Sequence, residues 1–128
     1  MPDENAKPVI LVVDDTPDNL SLVSGILKDS YKVKVATSGA KALAICAASP
    51  PSLVLLDIMM PEMDGFEVCR LLKKDPATAA IPVVFFSAKG TEEDRIQGTQ
   101  SGGADFLVKP IDPNLLVRML EKTLSPLL

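Results

Sequence analysis

Three aspartates, a serine and a lysine carry the chemistry this chain is equipped for. Asp14 and Asp15 follow the apolar run Val9-Ile10-Leu11-Val12-Val13, and Asp57 follows Leu53-Val54-Leu55-Leu56. Short apolar runs rich in Val, Leu and Ile read as strands buried on both faces, so three acids stand at the C-terminal ends of two strands. In an open α/β sheet that edge is where ligands bind. Ser87 and Lys109 close two further runs, Val83 to Phe86 and Phe106 to Val108.

Parallel strands joined by right-handed crossovers keep their C-terminal ends on one edge, so Asp14, Asp15, Asp57, Ser87 and Lys109 are expected to converge there. Three carboxylates packed together repel one another. A hard divalent cation relieves that repulsion, and Mg²⁺ suits a site with a few oxygen ligands that keeps positions for waters and phosphate oxygens. Asp57 can then serve as ligand and nucleophile, because carboxylate attack on a phosphoryl group forms an aspartyl phosphate. Such a transfer requires in-line positioning and positive charge around the equatorial oxygens. Mg²⁺ and Lys109 supply the charge, and the Ser87 hydroxyl is placed to donate to a phosphoryl oxygen. A cis Lys109-Pro110 bond would turn the chain sharply and aim the lysine inward.

Several neighbouring residues invite chemical readings that a structural one answers better. Asp64 before Gly65 reads as a helix cap, and Pro61 with Gly65 as turn chemistry shaping the loop after Asp57. Met59, Met60 and Met63 read as adaptable apolar contacts, since the ligands beside them are hard oxygens. Cys46 and Cys69 fall inside helical patterns without a second ligand at metal spacing, and read as small core residues of a reducing compartment.

The elements that must position the site alternate regularly. Strands are expected at Val9 to Val13, Lys32 to Ala36, Leu53 to Leu56, Val83 to Phe86 and Phe106 to Val108, each followed by a helix, which defines an α/β fold of five βα units. The first helix should open with Thr16 as its cap and Pro17 in its first turn, burying Leu20, Val23 and Leu27 beside Leu22 and Ile26. The second spans about Ala40 to Ala48 after a Ser38 cap, and the third starts at Gly65 with Phe66, Cys69 and Leu72 inward. The fourth, Thr91 to Thr99, offers one large apolar residue, Ile96, and should be the most weakly held. Asp112-Pro113 caps a fifth helix with Leu116, Leu120 and Leu124 on one face, and Leu115 and Met119 close by.

A chain of 128 residues is the size of one domain, and residues 8–124 are expected to form it. Residues 1–7 read as a flexible N-terminal segment, and 125–128 as a tail or the start of a linker. With 47% hydrophobic but only 4% aromatic residues, the core must be aliphatic. A net charge of −4 without a Lys/Arg-rich run argues against direct nucleic-acid binding. No apolar run approaches the ~20 residues that span a bilayer, so a cytoplasmic protein without membrane partners is expected.

These residues together resemble the receiver domain of two-component response regulators, over about residues 8–124. The likeness is carried by Asp14-Asp15, by Asp57-Ile58-Met59-Met60-Pro61-Glu62-Met63-Asp64-Gly65, by Ser87-Ala88 and by Gly103-Ala104-Asp105-Phe106-Leu107-Val108-Lys109-Pro110. It implies a flavodoxin-like, doubly wound five-stranded parallel sheet of order 2-1-3-4-5. It also implies that Asp57 is the phosphoacceptor, that Asp15 and the Met59 carbonyl are direct Mg²⁺ ligands, and that Asp14 is a ligand through water. Ser87 is then the switch hydroxyl, Phe106 the switch aromatic and Lys109 the phosphate partner. Many relatives carry Tyr at position 106 and Thr at 108, so Phe106 keeps the burial signal without a hydroxyl, and Val108 adds strand propensity.

The function so implied is a phosphoacceptor switch, not an enzyme with its own substrate. The chain has no histidine, so a phosphohistidine must come from a histidine kinase or a histidine phosphotransfer protein. The face of the fourth helix, fifth strand and fifth helix would pass the signal to an output domain or a homodimer partner. Met59 and Lys89, two residues after Asp57 and Ser87, lack a base that could orient water, so slow self-dephosphorylation is expected. Two other classes remain: an interaction module that is never phosphorylated, against which the full set of acids, hydroxyl and lysine counts, and a Mg²⁺-dependent phosphate-ester hydrolase, for which no substrate-binding insertion exists.

Overall fold

Strands and helices alternate in the computed structural model, which describes residues 7–88 and 90–124. The expectations placed on 1–6, on Lys89 and on 125–128 lie outside the described residues. In chain order the elements are β1 (Val9–Val13), α1 (Pro17–Leu27), β2 (Lys32–Ala36), α2 (Gly39–Ala48), β3 (Leu53–Asp57), α3 (Gly65–Lys74), β4 (Val83–Ser87), α4 (Glu92–Gln100), β5 (Asp105–Val108) and α5 (Pro113–Leu124). The five strands form one parallel sheet in the order β2-β1-β3-β4-β5, the doubly wound arrangement expected.

The order makes β1 and β3 neighbours at the point where the winding reverses, the place where such sheets bind ligands. Val13 pairs with Leu56, so the residues that follow, Asp14 and Asp57, emerge side by side. Asp57 pairs with Phe86 and Ser87 with Val108, which brings the ends of β4 and β5 level with the acids.

Side-chain alternation along buried strands divides the core in two. Ile10, Val12, Leu53, Leu55, Val84, Phe86 and Leu107 face α1 and α5, where Leu20, Val23, Leu27, Leu116 and Leu120 meet them. Leu11, Val13, Val54, Leu56, Val83, Phe85 and Phe106 face the other way, packing with Ala42 and Cys46 of α2 and with Phe66, Val68, Cys69 and Leu72 of α3. Both cysteines are fully buried, and burial pushes both thiols up, which suits inert core residues. Met60 is buried and Met63 packs against the same core, while Met59 stays 60% exposed.

Most of the expected caps form. Ser38 Oγ accepts from Lys41 N at 3.2 Å, Asp64 Oδ1 from Glu67 N at 2.9 Å, Thr91 Oγ1 from Asp94 N at 3.1 Å and Asp112 Oδ1 from Asn114 N at 2.9 Å. The first helix differs. Thr16 occupies the cap position, but its hydroxyl makes no capping bond; its carbonyl accepts from Asn19 N at 3.1 Å and Leu20 N at 3.3 Å, and its own N–H donates to Asp14 Oδ1 at 2.8 Å. Leu22 also departs from expectation, lying outside the buried stripe at 54% exposure. Gly98 is the one buried residue among those of α4, so this helix buries as little apolar surface as its composition predicts.

Candidate functional site

The carboxyl edge of the sheet brings together Asp14, Asp15, Asp57, Ser87 and Lys109, while Phe106 lies within β5 and Met59 in the loop after β3. Carboxylate oxygens of Asp14, Asp15 and Asp57 all lie within 4.8 Å of one another. Asp14 and Asp57 are buried and Asp15 is exposed, so the cluster opens to solvent on one side. Lys109 reaches in from the end of β5, its Nζ 3.1 Å from Asp14 Oδ2 and 3.6 Å from Asp57 Oδ2. Its peptide bond to Pro110 is cis. Ser87 is buried as the last residue of β4, and its carbonyl accepts from Lys109 N at 2.7 Å, which ties the two strand ends together.

One ammonium against three carboxylates leaves the cluster short of positive charge. Burial pushes the Asp57 carboxyl up from 3.8 to about 6; Asp14 and Asp15 add to the rise, while Lys109 and the Met59 N–H oppose it. An ionised Asp57 is thus disfavoured by its surroundings unless further positive charge arrives. The donors are hard oxygens, close together and open to one side, and such a set fits a small divalent cation better than a soft metal.

Local geometry holds Asp57 in place. Its Oδ1 accepts from Met59 N at 3.3 Å. Gly65 N donates to Ile58 O at 2.9 Å, and a Cβ at Gly65 would collide with the Asp57 carbonyl oxygen and stand 2.9 Å from Ile58 Cα. Gly65 is therefore needed for close approach, a stronger requirement than turn chemistry alone. Asp64 lies outside the acid cluster and caps α3, as expected.

Two residues of the site escape a reading of the chain. Asn19, in the first turn of α1, donates from Nδ2 to Asp14 Oδ2 at 3.0 Å. Phe86 carries Lys109 Nζ 4.8 Å from its ring centroid, a cation–π contact beneath the lysine. The one signal for Asn19 was its place in the first turn of the helix that directly follows the acidic pair; Phe86 looked like any other core strand residue. Phe106, the expected switch aromatic, is buried against Phe85, with ring centroids 6.4 Å apart.

A doubly wound parallel sheet with a charged acid cluster at its switch point defines the class: a flavodoxin-like α/β domain with an oxygen-rich site. The chain belongs to the response regulator receiver domain family, whose model matches residues 10–121. It is 52% identical over 108 residues to the response regulator PleD of Caulobacter vibrioides, a match covering 84% of this chain and 24% of PleD. The chain thus spans about a quarter of that relative's length. Protein PilH of Pseudomonas aeruginosa is 36% identical over 117 residues, covering 91% of this chain and 97% of PilH. The solved chemotaxis protein CheY4 of Vibrio cholerae superposes with a TM-score of 0.87 at 29% identity, over 91% of this chain and 98% of that one. The domain is accordingly a phosphoacceptor switch of two-component signalling. Among the described residues no helix is long and apolar enough to cross a membrane.

Proposed function

We propose that Asp57 accepts a phosphoryl group from the phosphohistidine of a histidine kinase or histidine phosphotransfer protein. The observation that carries this reading is the buried Asp57 carboxylate beside Asp14 and Asp15, with Lys109 Nζ 3.6 Å away. The Asp57 oxygen forms the new O–P bond as the N–P bond to the donor imidazole breaks, and that imidazole takes up a proton from solvent. Lys109 holds a phosphoryl oxygen by charge, and the Ser87 hydroxyl donates to another.

Asp15, Asp57 and the Met59 carbonyl, with Asp14 beside them, would hold Mg²⁺. Bound there, it supplies positive charge next to the transferring phosphoryl oxygens. Phosphorylation draws Ser87 toward Asp57, and Phe106 follows into the space released, so the α4-β5-α5 face shifts population toward a second shape. That face would address an output domain or a second copy of the chain, in the cytoplasm. Slow self-dephosphorylation fits the apolar, exposed Met59 at the mouth of the site.

Mass spectrometry after incubation with acetyl phosphate and Mg²⁺ tests the reading. One stable added phosphate is expected on the native chain, and none on Asp57→Asn, which keeps the shape but loses the nucleophile. No uptake by the native chain would favour an unphosphorylated interaction module. Rapid multiple turnover would favour a phosphate-ester hydrolase.

A further inference from the structure

Three donors converge on the buried carboxylate of Asp14. Thr16 N–H reaches Oδ1 at 2.8 Å, while Asn19 Nδ2 and Lys109 Nζ share Oδ2 at 3.0 Å and 3.1 Å. Asp14 has no solvent exposure, so bulk solvent does not reach its carboxylate to replace any of them. The lysine meanwhile lies 3.6 Å from Asp57 Oδ2, so one ammonium serves two acids. When a phosphoryl group sits on Asp57, the lysine is drawn to its oxygens, and Asp14 Oδ2 loses a charged donor.

We propose that Asn19 is a positioning residue for the phosphorylated state: its amide holds Asp14 Oδ2 so that Lys109 can turn to the phosphoryl group without stranding a buried carboxylate. The inference rests on Asp57 being the phosphoacceptor. An amide suits the task because it donates without carrying charge. A lysine or arginine at this position would compete for the phosphoryl oxygens, and an aspartate would add a fourth carboxylate. The short side chain, anchored on the first turn of α1, is half-buried and stays with Asp14 while the lysine moves.

This division of labour is directional. With the lysine on Asp14, the Asn19 amide is one of two donors to Oδ2; with the lysine gone, it is the remaining side-chain donor to that oxygen among the described residues. Removing the amide therefore penalises the phosphorylated state more than the resting one. The same removal loses its differential effect when position 109 has no ammonium, because nothing then leaves Asp14.

A double-mutant cycle reads this directly. Beryllofluoride serves as the phosphoryl analogue at saturating Mg²⁺, with saturation checked by calorimetry for each variant. Binding is followed through amide chemical shifts of β3 and of the loop that follows Asp57, which report occupancy of the site whether or not Lys109 is present. Asn19→Leu should weaken beryllofluoride binding about tenfold in the native background. In a Lys109→Ala background it should add less than about a twofold loss. Equal losses in the two backgrounds would reduce Asn19 to a prop for α1, and no loss in the native background would equally overturn the proposal. If Asn19→Leu does not fold, Asn19→Ala takes its place with the same expected pattern and a smaller loss. A native chain that fails to respond to beryllofluoride would remove the phosphoacceptor reading itself, an outcome distinct from a silent Asn19.

Discussion

The guanidinium of Arg95 lies 5.1 Å from the ring centroid of Phe106, placing an exposed cation of α4 over the buried aromatic of β5. Gly98 is the one buried residue of α4, and this cation–π contact adds a second tie between the helix and the sheet. Arg95→Ala should raise the amide hydrogen-exchange rates of α4 selectively, corresponding to about 0.5–1 kcal/mol of local stability. Unchanged exchange in α4 would show that the contact holds nothing.

Metal-free stability should depend on pH through Asp57. Its folded carboxyl titrates at about 6 against 3.8 ordinarily, so the native state binds the proton more tightly than the unfolded chain does. Above that range Asp57 is ionised in both states and its burial is unfavourable; as pH falls from about 6 toward 3.8, protonation relieves the penalty and stability rises. Asp57→Asn lacks this dependence. It should exceed the native chain in stability near neutral pH by up to about 3 kcal/mol, with the gap closing in acid. Urea unfolding of both proteins in chelator across this range measures the difference, and a gap independent of pH would contradict the assignment.

Gly65→Ala should strain the chain at the acceptor. The added methyl meets backbone atoms of Asp57 and Ile58, neither of which can yield as a side-chain tip would. A loss of about 1–3 kcal/mol is expected, together with weaker Mg²⁺ binding, because the displaced segment carries both Asp57 and Met59. Denaturant unfolding and a Mg²⁺ titration check the two effects separately.

Lys109→Ala should uncouple phosphorylation from the switch. Some phosphoryl uptake persists where Mg²⁺ supplies part of the charge, but the lysine that links Asp14, Asp57 and the ring of Phe86 is gone. Chemical-shift changes on α4 and α5 after adding beryllofluoride should shrink to a small fraction of the native response. A native-like response would detach Lys109 from signalling. Arg is no substitute, being a planar fork where a point charge fits.

The elements were legible because their signals are local. Unbroken apolar runs such as Val9 to Val13, helical spacing such as Leu116 to Leu120, and caps such as Asp64 before Gly65 depend on neighbours a few positions away. The strand ends of Asp14, Asp57, Ser87 and Lys109 could be read for the same reason, and the resemblance supplied the sheet order. What the chain could not display is which partner each polar group selects. Lys109 stands 95 positions from Asp14, and only the assembled sheet sets how its ammonium divides between two acids. Thr16 carries the residue type of a cap, yet in the folded chain its hydroxyl makes no capping bond, and its backbone N–H donates to the buried Asp14 carboxylate. Leu22 has the hydrophobicity of its neighbours and still faces solvent, because packing of α1 on the sheet buries only the stripe of Leu20, Val23 and Leu27. The placements of Asn19 on Asp14 and of Arg95 over Phe106 belong to the same category. Composition and periodicity determine which face a residue takes; the contacts across that face are chosen by packing between segments far apart in the chain, where small shifts decide which donor meets which acceptor.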